Sequence, residues 1–124
     1  MLLYASLFPC FGSFAQSKGV VVLSYSPFSA YPFVMRPTYD PVVLHVAAQL
    51  SHSLARPVSA SQVLLKWAAQ RGVASIPRSA DAAHLSANIQ ALALPALSAK
   101  HMRLLDSLQH LVASAVCVPV ELAN

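Results

Sequence analysis

Arg78 and Ser79 stand where a short apolar run, Val73-Ala74-Ser75-Ile76, stops at Pro77 and a helical pattern begins. A cation and a hydroxyl at such a seam serve one of two ends. Either a turn needs solubility, or an anion is held there, because helix N-termini and nearby backbone N–H groups attract phosphate. Arg78 taken alone reads as a solvated loop cation, and Tyr25, which closes another apolar run, reads alone as core packing. The other residues able to do chemistry do not converge. His45, His52, His84, His101 and His110 form no zinc spacing with Cys10 and Cys117, and the two cysteines, near opposite ends of the chain, suggest no disulfide framework. No metal site is expected, and free thiols in a reducing, cytoplasmic compartment are.

The elements that must position Arg78 and Ser79 are legible from spacing. Residues 20–25, VVVLSY, form a continuous apolar run of the kind a strand buried on both faces requires. Residues 26–39 hold three prolines and no periodicity and read as a long loop. Asp40 then caps a helix with Pro41 at its first position, and Val43, Val46, Ala47, Leu50 and Leu54 share one face. Ser59 and Gln62 form a capping box that opens a helix over 60–71, stopped by Gly72, with Trp67 on its inner side. Strand 73–76 follows, then a helix capped by Asp81 and running from 82 to about 91. Ser98 caps a last helix, to about 112, whose Met102, Leu105, Leu108 and Val112 make one stripe. Trp67 is expected to pack with a partner for its indole N–H; His45, His52, His101 and His110 are expected at helix surfaces or boundaries.

Composition bounds the reading. The 124 residues suffice for one domain and are too few for a closed barrel. A content of 56% hydrophobic and 10% charged residues excludes a disordered chain. The +4 net charge comes from scattered cations with no run and no aromatic interleaving, which gives no basis for a nucleic-acid surface. The apolar N-terminus lacks a basic flank and is interrupted by Pro9 and Gly12, so neither a signal peptide nor a membrane span is expected. Strands alternating with helices imply an α/β fold with parallel strands. Two such strands cannot cover their own faces.

Three stretches in register, SKGVVVLSYSPFSA (17–30), SASQVLLKWAAQRGVASIPRSADAAHLSANIQAL (59–92) and LSAKHMRLLDSL (97–108), resemble the C-terminal third of an aldo-keto reductase. The resemblance spans residues 14–112 as a domain portion, leaving 1–13 and 113–124 unmatched. It implies the last two βα units and the C-terminal helix of an incomplete (β/α)8 TIM barrel, whose phosphate site is commonly built by the loops after strands seven and eight. It also implies NADPH (NADP) as cofactor and small aldehydes or ketones as substrates. By that resemblance Tyr25 stacks on the nicotinamide ring, Ser26 meets the pyrophosphate, Arg78 and Ser79 hold the adenosine 2′-phosphate, and Asn88 bonds the adenine amine. A guanidinium offers a phosphate two parallel donors, a more directional contact than Lys makes.

Two positions depart from the family pattern. His84 stands where many members place an Arg over the adenine, and Ala87 where an acid is common, so the preference for NADPH over NADH is open. The family's catalytic Asp, Tyr, Lys and His motifs have no counterpart here, and Tyr4, Tyr31 and Tyr39 lie in no matching context. No catalytic residue is assigned. The competing reading is a non-catalytic product acting as a nucleotide-binding or protein-interaction module, with self-association through exposed barrel edges.

Overall fold

Local signals build every helix from Asp40 onward. In the computed structural model, residues 13–25, 27–28, 38 and 40–108 are described. The elements are α1 (Ser13–Ser17), β1 (Val22–Tyr25), α2 (Pro41–Leu54), α3 (Ala60–Gln70), β2 (Val73–Ile76), α4 (Ala82–Gln90) and α5 (Ala99–Ser107). The Asp40 carboxylate accepts the Val42 N–H at 2.8 Å and starts α2, with Pro41 in the first turn. The capping box at α3 is complete: the Gln62 N–H donates to Ser59 Oγ and the Ser59 N–H to Gln62 Oε1. Ser98 Oγ caps α5 by accepting the His101 N–H at 3.2 Å.

α2 ends on Ala55, a non-glycine residue at φ 48° whose N–H reaches the His52 carbonyl. α3 ends at Arg71, and Gly72 at φ +72° turns the chain into β2. A Cβ on Gly72 would lie 2.5 Å from Gln16 Nε2. That amide donates to the Arg71 carbonyl at 2.8 Å and the Gly72 carbonyl at 3.4 Å, and so ties α1 to the end of α3. Gly72 therefore serves the backbone turn and the close approach of α1 together.

β1 and β2 form a two-stranded parallel sheet in which Val22, Leu23, Ser24 and Tyr25 face Val73, Ala74, Ser75 and Ile76 in turn. Val22 and Val73 are buried with Ala15 and pack against Ala68 of α3. Leu23, Tyr25 and Ile76, on the opposite face, are 58%, 64% and 48% exposed. The strands are thus covered on one face only, where the sequence suggested cover on both, because α1 and α3 lie on the same side. β1 is also shorter than the 20–25 run, since Val20 and Val21 precede the paired register and are exposed.

The main core lies among the helices. Val43 and Val46 of α2, Val63 of α3 and Leu105 of α5 are the fully buried anchors, and Leu94, Leu97 and Leu108 join them. Truncating such a residue to Ala typically costs about 2–5 kcal/mol. Trp67 finds the expected partner: its indole N–H donates to Asp106 Oδ1 at 2.9 Å, and Arg71 pairs with the same carboxylate, so α5 is pinned to α3 by polar and apolar contacts at once. His45 and His52 are exposed on α2, and His101 is half-buried with Nε2 3.0 Å from Gln49 Oε1.

Other limits differ from the sequence reading as well: α1 was not foreseen and α3 and α4 each stop one residue early, while α5 is described over Ala99–Ser107 and residues 109–112 of the helix expected to about 112 lie outside the described residues. His110, Leu111, Val112, Cys10, Cys117 and most of the 26–39 loop lie outside the described residues.

Candidate functional site

The C-terminal ends of the two strands lie side by side, because Tyr25 is the register partner of Ile76. Alternation along β1 puts the Tyr25 ring on the sheet face turned away from the helices, with Leu23. β2 stops where Pro77 offers no N–H to a ladder. Arg78 follows, exposed and without a hydrogen-bond partner among the described residues, and then the half-buried Ser79.

Ser79 and Asp81 organise the start of α4. Ser79 Oγ accepts the Asp81 N–H at 3.1 Å and lies 3.4 Å from the Asp81 carbonyl, to which it donates. Asp81 Oδ1 in turn accepts the N–H groups of Ala83 at 2.7 Å and His84 at 3.1 Å. Those bonds, from His84 first and Ala83 next, hold the Asp81 carboxyl below its usual 3.8, with a further pull from the His84 ring. The anion that the sequence placed at this helix start is therefore partly supplied by the chain itself. The Ala83 and His84 N–H groups in the first turn of α4 are taken, and Arg78 is the cation left at the seam.

α4 is seated from below by α3. No residue of α4 is buried. Instead the buried Gln62 donates through Nε2 to the Ala87 carbonyl at 3.0 Å, Lys66 Nζ donates to the Leu92 carbonyl at 3.0 Å, and Gln70 exchanges two bonds with the Leu97 backbone. These three side chains are spaced by four and form one stripe on α3. His84, exposed, and Asn88, half-buried, are also four apart and share one side of α4.

Five of the six residues singled out from sequence can thus be located. Arg78, Ser79 and the first turn of α4 come together, Tyr25 ends the neighbouring strand, and Ser26 lies outside the described residues. Sequence reasoning found Asp81 as a cap but missed its engagement of Ser79. It also missed the role of Gln62, Lys66 and Gln70 in holding α4 and the segment after it; only their four-residue spacing on a helix pointed that way. Among the described residues no group of three or more His, Cys, Asp or Glu side chains lies together to hold a metal ion. Among them, too, no helix is long and apolar enough to cross a membrane.

The model of the aldo/keto reductase family matches residues 11–110. The chain belongs to the aldo/keto reductase family. It is similar to the NADPH-dependent D-xylose reductase of Meyerozyma guilliermondii, 34% identical over 86 residues, which are 62% of this chain and 26% of that protein. It is also 32% identical over 93 residues to aldo-keto reductase family 1 member A1 of Cricetulus griseus, covering 75% of this chain and 28% of the relative. An aldo/keto reductase of Synechocystis is 34% identical over 87 residues, 64% of this chain and 25% of its own length. This aldo/keto reductase chain spans about a quarter of the length of the relatives it matches.

Proposed function

We propose that this chain carries part of the nicotinamide-cofactor site of an aldo/keto reductase, and that the complete protein uses NADPH to reduce small aldehydes or ketones. The observation that carries the reading is the parallel register that ends Tyr25 beside Ile76, with Arg78 and Ser79 directly after. In a (β/α)8 barrel, catalytic and phosphate-binding groups gather at such strand ends, and the loops after the last two strands often grip phosphate. We read β1 and β2 as the seventh and eighth strands and α5 as the C-terminal helix, within a domain portion at 14–112. The bare sheet face supports this, since parallel sheets are normally covered on both sides.

A bound nicotinamide supplies the hydride that reduces a carbonyl. The residues of this chain orient it. The exposed Tyr25 ring offers a planar surface on which a flat heterocycle stacks. Ser26 is assigned to the pyrophosphate, Arg78 and Ser79 to the 2′-phosphate, and His84 and Asn88 to the adenine side. The exposed Arg78 guanidinium has room to offer a phosphate two parallel donors. Reduction also needs a positioned proton donor. The family's catalytic Asp, Tyr, Lys and His motifs have no counterpart in this sequence, which supports the reading that the chain by itself does not carry out the reduction.

The test uses the 124-residue chain, NADPH and backbone-amide NMR. NADPH should shift the amides of Tyr25, Arg78 and Asn88, and Arg78→Ala should weaken the effect about ten- to a hundredfold, the worth of a charge-assisted bond. No shift at those amides refutes the cofactor assignment. NADPH consumption with a panel of aldehydes, above the rate without protein, refutes the absence of a proton donor.

A further inference from the structure

We infer that Asp81 sets how strongly this site distinguishes NADPH from NADH, and that it holds the distinction low; the inference rests on the cofactor reading above. Three observations converge on it. The helix start that would otherwise attract a phosphate is occupied by a resident anion, since Asp81 Oδ1 holds the Ala83 and His84 N–H groups. The Ser79 hydroxyl, assigned above to the 2′-phosphate, must first leave Asp81, because it accepts the Asp81 N–H at 3.1 Å and donates to the Asp81 carbonyl at 3.4 Å. Between Pro77 and Gln90 the only formal charges are Arg78 and Asp81, which sum to zero. Arg78 does not neutralise Asp81 directly, for the one ion pair among the described residues is Arg71 with Asp106.

A 2′-phosphate entering beside Arg78 therefore gains one cation and meets one anion. A ribose that carries a 2′-hydroxyl instead meets no such repulsion. Asp81 stays ionised throughout the neutral range, because its backbone bonds favour the charged form.

The experiment titrates the full chain with adenosine 2′,5′-bisphosphate and with 5′-AMP, following the amides of Ala83, His84 and Asn88 by NMR. Asp81→Asn is the informative variant, since Asn caps a helix as well as Asp and removes only the charge. A unit charge beside a phosphate of charge near −2 is worth about fivefold in a high-dielectric site. Asp81→Asn should strengthen bisphosphate binding by about that factor, leave 5′-AMP within about twofold, and lose most of the gain at high salt. The same amides report whether α4 still forms; if it does not, Asp81→Ser, another capping residue, is substituted and the same comparison made. An unchanged ratio of the two affinities in the folded variant overturns the inference while leaving the cofactor reading intact. If neither nucleotide shifts any α4 amide in either protein, the cofactor reading fails and the inference falls with it.

Discussion

Asp106→Ala should loosen the attachment of the C-terminal helix to α3 without dissolving it. The carboxylate accepts the Trp67 indole N–H at 2.9 Å and the Arg71 Nε–H at 3.2 Å, and it is ion-paired with the Arg71 guanidinium. The Arg71 and Asp106 side chains are 41% and 25% exposed, so the ion pair contributes at most about 1 kcal/mol. The indole bond weighs more, because it goes to a charged acceptor and Trp67 is half-buried: about 1.5–3 kcal/mol. Loss of both comes to roughly 2–4 kcal/mol, against which Leu105 and Leu108, buried beside Asp106, keep the helix docked. Asp106→Asn retains an oxygen for the indole but gives up the charge that strengthens that bond and the ion pair with Arg71, so it should cost about 1–2 kcal/mol, less than the Ala variant. Trp67 is the sole tryptophan, which makes its fluorescence a direct reporter. The Ala variant should shift the emission to the red and lower the urea midpoint, and the Asn variant should leave the emission near that of the parent. Equal effects of the two substitutions, or no change in emission with either, would refute the assignment of the indole bond as the stronger tie.

Gly72→Ala should cost more than the about 1 kcal/mol of a left-handed backbone alone, because the added Cβ also displaces the Gln16 amide from two carbonyls; hydrogen exchange in α1 should rise, and unchanged protection there would contradict the contact. The Asp81 carboxyl is depressed, so its contribution to α4 should be complete above its usual 3.8 and lost only as pH falls through the lower value of the folded chain; an NMR titration of the Ala83 and His84 amides with a midpoint at or above 3.8 would contradict the cap. The bare face of Leu23, Tyr25 and Ile76 and the unpaired strand edges should drive self-association of the isolated chain, and a sharp monomer on size-exclusion chromatography with strongly protected β1 and β2 amides would show that this chain covers its sheet alone.

What was legible in the sequence was mostly what is local. Asp40 before Pro41, Ser59 with Gln62, Asp81 and Ser98 each act within three residues, so type and spacing sufficed to place four helix starts. The strand limits were harder to read. Val20 and Val21 are as apolar as Val22, and only the register with Val73 separates them. One-sided cover of the sheet was illegible for a related reason: it depends on where α1 and α3 pack, and the five residues of α1 carry no strong helical period. At the candidate site, the order Pro77-Arg78-Ser79 announced a seam between strand and helix. That the Ser79 hydroxyl is spent on Asp81 could not be read, because Ser79 was as free on paper to face a ligand as to face its own turn.

The seating of α4 has a consequence for how affinity can be adjusted. A helix with no buried residue of its own has little apolar surface to lose on lifting away, so α4 is kept in place by the Gln62 bond to the Ala87 carbonyl, by the Lys66 bond to the Leu92 carbonyl just past its end, and by the buried Ala91 at its C-cap. At about 0.5–1.5 kcal/mol each, those bonds make a latch far weaker than the core beneath it. α4 should therefore open as a unit of its own, well below the free energy of global unfolding. A substitution at Gln62 or Lys66 then retunes whatever His84 and Asn88 touch while leaving every ligand contact in place. Sequence drift on α3, a helix that meets no cofactor in the proposed site, is in this sense a dial on cofactor affinity.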